Sequence, residues 1–175
     1  IGMGHTAENL AKKYSISRER QEQMALESHQ KASKAVEKGE FKDEIIPVNG
    51  ISEDGCIRPD TALESMAQLK PAFDKEGVVT AGTSSPLTDG AAAVIVCSED
   101  YAKSNKLKML AYVRGMAISG CSPEIMGIGP VVSSQKALKR AALKLEDMDI
   151  IEMNEAFAAQ SLACVDELGI DMSKL

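Results

Sequence analysis

Ala91-Ala92-Ala93-Val94-Ile95-Val96-Cys97-Ser98 is an unbroken run of small and apolar residues. A strand with one wet face alternates apolar and polar side chains. A run without that alternation suits a strand buried on both faces of a sheet. Working outward toward the C-terminus, the spacing predicts a helix at about 99–105 and a second strand at 110–118. Pro130 then opens a helix that places Ala137, Leu138, Ala141, Ala142 and Leu145 on one face. Asp149 to Met153 reads as a third strand, and Glu155 to Leu168 as a helix stopped by Gly169. Strand and helix alternate three times, which is the pattern of an α/β fold.

Toward the N-terminus the pattern changes. Residues 6–14 predict a short helix with Thr6 as N-cap and Glu8 in its first turn. Ser17 caps a longer helix to about Lys38. Its small stripe (Ala25, Ser28, Ala32, Ala35, Val36) recurs at helical spacing, and Gly39 is a natural stop. The two form a surface hairpin of helices. Residues 45–48 read as extended, Asn49-Gly50 and Asp54-Gly55 as turns, and Thr61 to Leu69 as a short helix ended by Pro71. An extended run, Gly77 to Gly82, leads into a loop rich in Thr, Ser, Pro and Asp. The shift from helices and loops to alternating strand and helix places an architectural boundary near residues 75–90. No repeat or low-complexity stretch occurs.

The chain has 175 residues, 44% hydrophobic and 26% charged, enough for one domain or parts of two. No segment approaches the roughly 20 apolar residues of a membrane helix. No signal-peptide pattern is present, and the opening Ile1-Gly2 predicts a start set by cutting. Residues 1–88 carry 11 Lys/Arg against 14 Asp/Glu, and residues 89–175 carry 9 against 12. Both halves are mildly acidic, which disfavours nucleic acid as the main partner. Aromatics at 3% and the lack of tryptophan disfavour a base-stacking platform as well. Single cations can still meet a small anionic ligand. The four cysteines (Cys56, Cys97, Cys121 and Cys164) form no C-x-x-C pair, so no metal site is expected and free thiols in a reducing cytoplasm are. Cys97, ending a buried strand, and Cys164, on a helix's apolar face, read as core. Met24, Met66, Met116, Met148 and Met153 read as gap-filling core too. His5 reads as a polar residue at a helix start, and His29 as part of the inner stripe of a surface helix.

Four segments could carry chemistry: Met3-Gly4-His5-Thr6-Ala7-Glu8-Asn9; Val79 to Gly90; Met126-Gly127-Ile128-Gly129-Pro130; and Glu152-Met153-Asn154-Glu155-Ala156-Phe157-Ala158-Ala159-Gln160. The second and third are loops at element ends, where α/β sheets place ligands. In the fourth, Asn154 either caps the next helix or turns its amide into a site to hold a water or an oxyanion.

In this order and at these separations, the four segments resemble the thiolase family. Ile16-Ser17-Arg18-Glu19 and Leu69-Lys70-Pro71-Ala72-Phe73-Asp74 extend the match over nearly the whole chain. Gly-Thr-Ser-Ser-Pro-Leu-Thr-Asp-Gly, Gly-Cys-Ser-Pro and Glu-Met-Asn-Glu-Ala-Phe are most similar to the degradative 3-ketoacyl-CoA thiolases of fatty-acid β-oxidation. Pro86 and Thr88 stand where the biosynthetic acetoacetyl-CoA branch most often has Gly and Asn. The resemblance implies a partial thiolase-like fold of α/β class, a helical and loop insertion domain plus part of the α/β core. Residues 1–88 would be the CoA-binding loop domain. Residues 89–108 would be the last strand and helix of the N-terminal core domain, and residues 109–175 the first part of the C-terminal one.

The resemblance further implies an acyltransferase that cleaves 3-ketoacyl-CoA with CoA to acetyl-CoA and a shortened acyl-CoA. Coenzyme A is then a substrate, and no cofactor is expected. Asn154 would position a water in an oxyanion hole. Arg58 would pack on the adenine, with Phe73 near it, and Ser85 would contact the pantetheine arm beside Ala81 and Leu87. Met3, Met126, Ala156 and Phe157 would line the tunnel. The family's nucleophilic cysteine would lie before residue 1. Its Gly-His-Pro histidine and Cys-x-Gly-x-Gly cysteine would lie beyond Leu175, so that this stretch alone is inactive. The lack of a signal pattern predicts a cytoplasmic setting, and the resemblance implies a homo-oligomer, with a partner subunit of hydratase and dehydrogenase activity in the degradative branch. A biosynthetic thiolase, a CoA-binding module without catalysis, and an unrelated helical interaction domain are the competing readings.

Overall fold

Helix α1 spans Met3–Lys13, starting earlier than the Thr6 side chain suggests. Thr6 is no cap. It lies buried inside the helix, and its hydroxyl donates to the Met3 carbonyl at 2.6 Å. Gly2 takes the N-cap position without a side-chain bond. The extra turn is held by packing, since a Cβ on Gly4 would stand 2.2 Å from the Phe73 ring. The computed structural model describes residues 1–175.

Helix α2, Arg18–Lys38, has the ends its sequence predicts. The Ser17 hydroxyl accepts from the Arg20 N–H at 3.3 Å. At the other end Gly39 is left-handed (φ 73°), and the N–H of Glu40 reaches back to the Ala35 carbonyl at 3.0 Å. Asn49-Gly50 makes a two-residue turn, with Val48 and Ile51 exchanging both backbone hydrogen bonds. Helix α3 is short, Leu63–Ala67, and begins after the predicted Thr61. Helix α4 is Glu99–Ser104, with the Ser98 hydroxyl accepting from the Tyr101 N–H. Helix α5, Gly129–Ala141, carries Pro130 in its first turn, where a missing N–H is harmless. It ends on Ala142 in a left-handed conformation (φ 53°), and its predicted apolar face is only half covered. Helix α6 is Ala158–Leu168, ended by a left-handed Gly169.

The core forms between α1 and α6. Every residue from Ala158 to Val165 is buried, so the first two turns of α6 are enclosed all round, while Asp166 and Glu167 in its last turn are exposed. One cluster joins Ala7, Ala11, Ile16, Met24 and Val79 to Ala158, Ala159 and Leu162. A second joins Leu10, Ile128 and Val131 to Ala163 and Cys164. Leu10 has no exposed surface, and its truncation to Ala would cost about 2–5 kcal/mol. Helix α1 is therefore a central element, not half of a surface hairpin. Glu8 fastens the next segment to it, its two carboxylate oxygens accepting from the N–H groups of Val78 and Val79 at 3.0 Å each. A Cβ on Gly77 would stand 2.1 Å from that carboxylate.

The three predicted strands do not pair. Residues 91–98 and 110–118 have no ladder hydrogen bonds, and in 149–153 only the Ile151 N–H has a backbone partner, the Lys174 carbonyl at 2.7 Å. A strand exists only where a neighbour meets its N–H and C=O groups, and these segments do not meet each other. Their side chains are accordingly bare: Val94 is 85% exposed and Ile118 90%. Cys97 and Met116, expected in the core, are exposed for the same reason, whereas Met24, Met66 and Cys164 are buried as expected. The only bridges are isolated and antiparallel: Val48 with Ile51, Pro71 with Thr80, and Ser84 with Phe157.

Candidate functional site

A groove of about 1430 Å³ opens between α2, α3 and the 151–155 segment. This exceeds the roughly 300–1,000 Å³ of an ordinary ligand pocket and suits a long ligand. Its first wall is the small stripe of α2, where Ala25, Ser28, Ala32 and Ala35 leave space that larger side chains would fill. The opposite wall is α3 and the chain after it, with Met66, Leu69 and Phe73. Ala81 to Pro86 and Ile151 to Glu155 complete it.

Five of the sequence-predicted residues line this groove: Arg58, Phe73, Ala81, Ser85 and Asn154. Arg58 is exposed, and its backbone N–H donates to Nδ1 of His29 at 3.2 Å. The neutral His29 ring therefore carries its proton on Nε2. Phe73 stands edge-on to Phe157, with centroids 5.8 Å apart and planes at 82°, a favoured aromatic geometry. Ala156 and Phe157 lie behind the groove wall. The Ser85 N–H donates to the Ala156 carbonyl at 3.0 Å, and Ser84 bridges to Phe157. Leu87 is fully exposed and lies outside the groove lining. Met3 and Met126 also lie outside it, half-exposed on α1 and on the 3₁₀ turn Pro123–Ile128. Those two elements are tied together by the Asn9 side chain, which donates to the Glu124 carbonyl at 2.9 Å.

Asn154 is not a helix cap. Helix α6 begins at Ala158 with Phe157 in the N-cap position and no side-chain cap. The Asn154 amide is exposed on the groove wall with no hydrogen bond to the protein, so it is free to bind a ligand or a water. Its neighbour Glu155 accepts from the Ser28 hydroxyl at 2.6 Å, joining α2 to this loop.

Sequence reasoning missed His29, Ser28, Cys56 and Glu155 as groove residues. The signal for the first two was the small stripe itself, because a helix face of Ala and Ser at this spacing makes room as readily as it packs. Cys56 is half-buried beside Arg58. Partial burial first, and then the Asp54 carboxylate, push its thiol above the ordinary value, which disfavours a thiolate. Burial raises the Cys164 thiol, and it donates to the Gly127 carbonyl at 3.2 Å as a core group would. No group of three or more His, Cys, Asp or Glu is placed to hold a metal ion, and no helix is long and apolar enough to cross a membrane.

Comparison with known proteins gives this geometry a context. Residues 1–100 match the thiolase N-terminal domain and residues 107–175 the thiolase C-terminal domain. The chain is 52% identical to a 3-ketoacyl-CoA thiolase of Vibrio parahaemolyticus and 53% to one of Aliivibrio fischeri, over 96% of its own length and 46% of theirs in both cases. Among solved structures, human mitochondrial 3-ketoacyl-CoA thiolase superposes with a TM-score of 0.96 at 47% identity, covering 99% of this chain and 46% of that one. The same human protein in complex with CoA gives 0.95 at 48% identity, over 98% and 44% of the two chains. The acetyl-CoA acetyltransferase of Bacillus anthracis gives 0.93 at 46% identity, over 99% and 46%. The chain thus spans somewhat under half the length of these relatives. With two thiolase domain matches that together span nearly all its residues, and a thiolase-like fold, this chain belongs to the thiolase family.

Proposed function

We propose that this chain forms the CoA-binding middle of an enzyme that cleaves 3-ketoacyl-CoA with CoA, giving acetyl-CoA and a shortened acyl-CoA. One observation carries the reading: a single long groove in a thiolase-family chain gathers Arg58, Phe73, Ala81, Ser85 and Asn154. In this reading the Arg58 guanidinium stacks on the adenine and Phe73 bounds that end. Ser85 meets the pantetheine arm, and Ala156 and Phe157 back the acyl end. The Asn154 amide holds a water that stabilises an oxyanion as the thioester forms and breaks. In this reading, as the family resemblance implies, the covalent step falls to a cysteine and a histidine outside these residues. In this reading CoA is a substrate, and no cofactor is expected.

The domain division follows from the same reading, with a loop domain over 1–88, the end of the first core domain over 89–108, and the start of the second over 109–175. The change of family match between residues 100 and 107 supports the second boundary. A homo-oligomer, and a partner subunit with hydratase and dehydrogenase activity, rest on the family resemblance alone, and a cytoplasmic setting on the cysteine pattern and the lack of a signal-peptide pattern. The likeness to the acetyl-CoA acetyltransferase favours a second reading, in which the same groove serves acetoacetyl-CoA. Isothermal titration of CoA into the intact gene product and its Arg58→Ala variant tests the first. Roughly tenfold weaker binding in the variant, with turnover at saturating CoA unchanged, is expected. Equal CoA affinity in both sinks the Arg58 assignment, and cleavage of acetoacetyl-CoA alone favours the second reading.

A further inference from the structure

We propose that Arg18 is a positioning residue for the groove. It touches no ligand but holds the α3 wall at the place where Arg58 and Phe73, on either side of that helix in the chain, face one ligand. The inference rests on the CoA-binding reading above. Helix α3 has five residues, and its N-cap, Ala62, makes no side-chain cap bond. A helix of that length does not hold itself together in water. Its last carbonyls have only the turn that follows to meet them, with the Leu69 N–H donating to the Met66 carbonyl at 3.0 Å and the Gln68 N–H to the Ser65 carbonyl at 3.3 Å.

Arg18 supplies further donors from α2. Its Nη2 donates to the carbonyls of Met66, Ala67 and Leu69 at 2.9, 3.2 and 2.7 Å. Its Nε donates to Glu22 Oε1 at 2.7 Å, and Glu22 is buried, so the guanidinium plane is fixed from behind. A positive group at the C-terminal end of a helix is favoured by the helix dipole as well. Met66 and Leu69, whose carbonyls are held, also line the groove, and Phe73 follows them. Lysine could reproduce it only in part, because it lacks the separate Nε–H that Glu22 fixes while the terminal nitrogen, with two hydrogens shared among three carbonyls, faces α3. Arg20, on the same helix, makes a useful contrast. It pairs with Asp166 and lines no part of the groove.

The test uses the intact gene product with Arg18→Met, Arg18→Lys and the control Arg20→Gln. CoA affinity, kcat at saturating CoA, and amide hydrogen exchange over residues 63–69 are measured well below the melting temperature. Arg18→Met is expected to weaken CoA binding roughly tenfold, the scale of lost hydrogen bonds to a charged group. It leaves kcat unchanged and speeds exchange over 63–69. Arg18→Lys recovers part of both, and Arg20→Gln changes neither. A purely stabilising role predicts a lower melting temperature with wild-type CoA affinity, and that result overturns the proposal. If Arg18→Met does not fold, Arg18→Lys and Glu22→Gln carry the same comparison. If the wild-type protein binds no CoA, the functional reading fails separately. Exchange over 63–69 then decides Arg18, and an unchanged rate overturns it.

Discussion

The backbone N–H of Ser85 donates to the carbonyl oxygen of Ala156 at 3.0 Å, joining the Ser/Thr-rich loop to the segment after Asn154. The bond uses main-chain atoms only, so the Ser85 side chain stays exposed toward the groove. Replacing Ser85 by Ala keeps the bridge and removes only the hydroxyl. Stability is expected to stay within about 0.5 kcal/mol, while CoA binding weakens by about 1 kcal/mol, the worth of one hydrogen bond. Thermal melting and calorimetry on the same two proteins separate the effects. A lowered melting temperature with unchanged CoA affinity would make Ser85 a structural residue.

Asn154 makes no protein hydrogen bond and caps no helix. Asn154→Asp therefore has little fold to lose, but it trades an amide donor for a carboxylate that repels a developing oxyanion. A fall in kcat on the order of 100-fold is expected, with the melting temperature and CoA affinity retained. Steady-state kinetics of thiolysis reads it, and wild-type turnover removes Asn154 from the chemistry.

Gly127 sits where the turn before α5 meets α6 and α1. A Cβ there would stand 2.6 Å from Gln160 Cγ and 2.8 Å from Leu10 Cδ1, both on buried side chains. Gly127→Ala is expected to destabilise by about 1–3 kcal/mol through overpacking. Urea unfolding measures it. No loss would mean that the contact between this turn and the two helices gives way easily.

The Arg20–Asp166 pair is bidentate, with both N···O distances 2.9 Å, and it ties α2 to α6. The hydrogen bonds from Arg20 hold the Asp166 carboxyl below its ordinary value near 3.8. A depressed folded-state value means that the stabilisation is present above the unfolded-state pKa and is lost as the pH falls through the folded one. Both side chains are more than a third exposed, so the effect is small and weakens with salt. The melting-temperature gap between wild type and Arg20→Gln should be open at pH 7 and narrow progressively as the pH falls below the ordinary carboxylate range. A gap that persists in acid would show that Arg20 acts through packing.

Much of the local structure was legible in the chain. Ser17 and Gly39 fixed α2 because a cap hydroxyl and a left-handed glycine act within a few residues of themselves. Asn49-Gly50 was readable for the same reason. Thr6 misled, since the helix start is decided by Gly4 packing on Phe73, a contact invisible in local sequence. The run from Ala91 to Ser98 was read correctly as apolar and wrongly as paired. Composition reports what a segment would bury, but not which strand covers it. Asn154 stayed ambiguous on spacing, because residues before a helix serve as caps and as ligand contacts alike, and only the start at Ala158 separated the two. The groove's small wall on α2 was written as a stripe of Ala and Ser, but its use as space depended on where α3 stands.

The partnership of α1 with α6 has a consequence for synthesis. Leu10 leaves the ribosome well before Ala163 and Cys164, its partners in the second core cluster. At ordinary elongation rates of about 5–20 residues per second, the wait is roughly 10–30 s. For that time α1 has part of its cover, since Ile16, Met24 and Val79 and then Ile128 and Val131 are made earlier, but it lacks the share that α6 supplies. Closure of this core must therefore follow translation of α6, and the growing polypeptide should be a ready client for chaperones that hold apolar helices until α6 arrives.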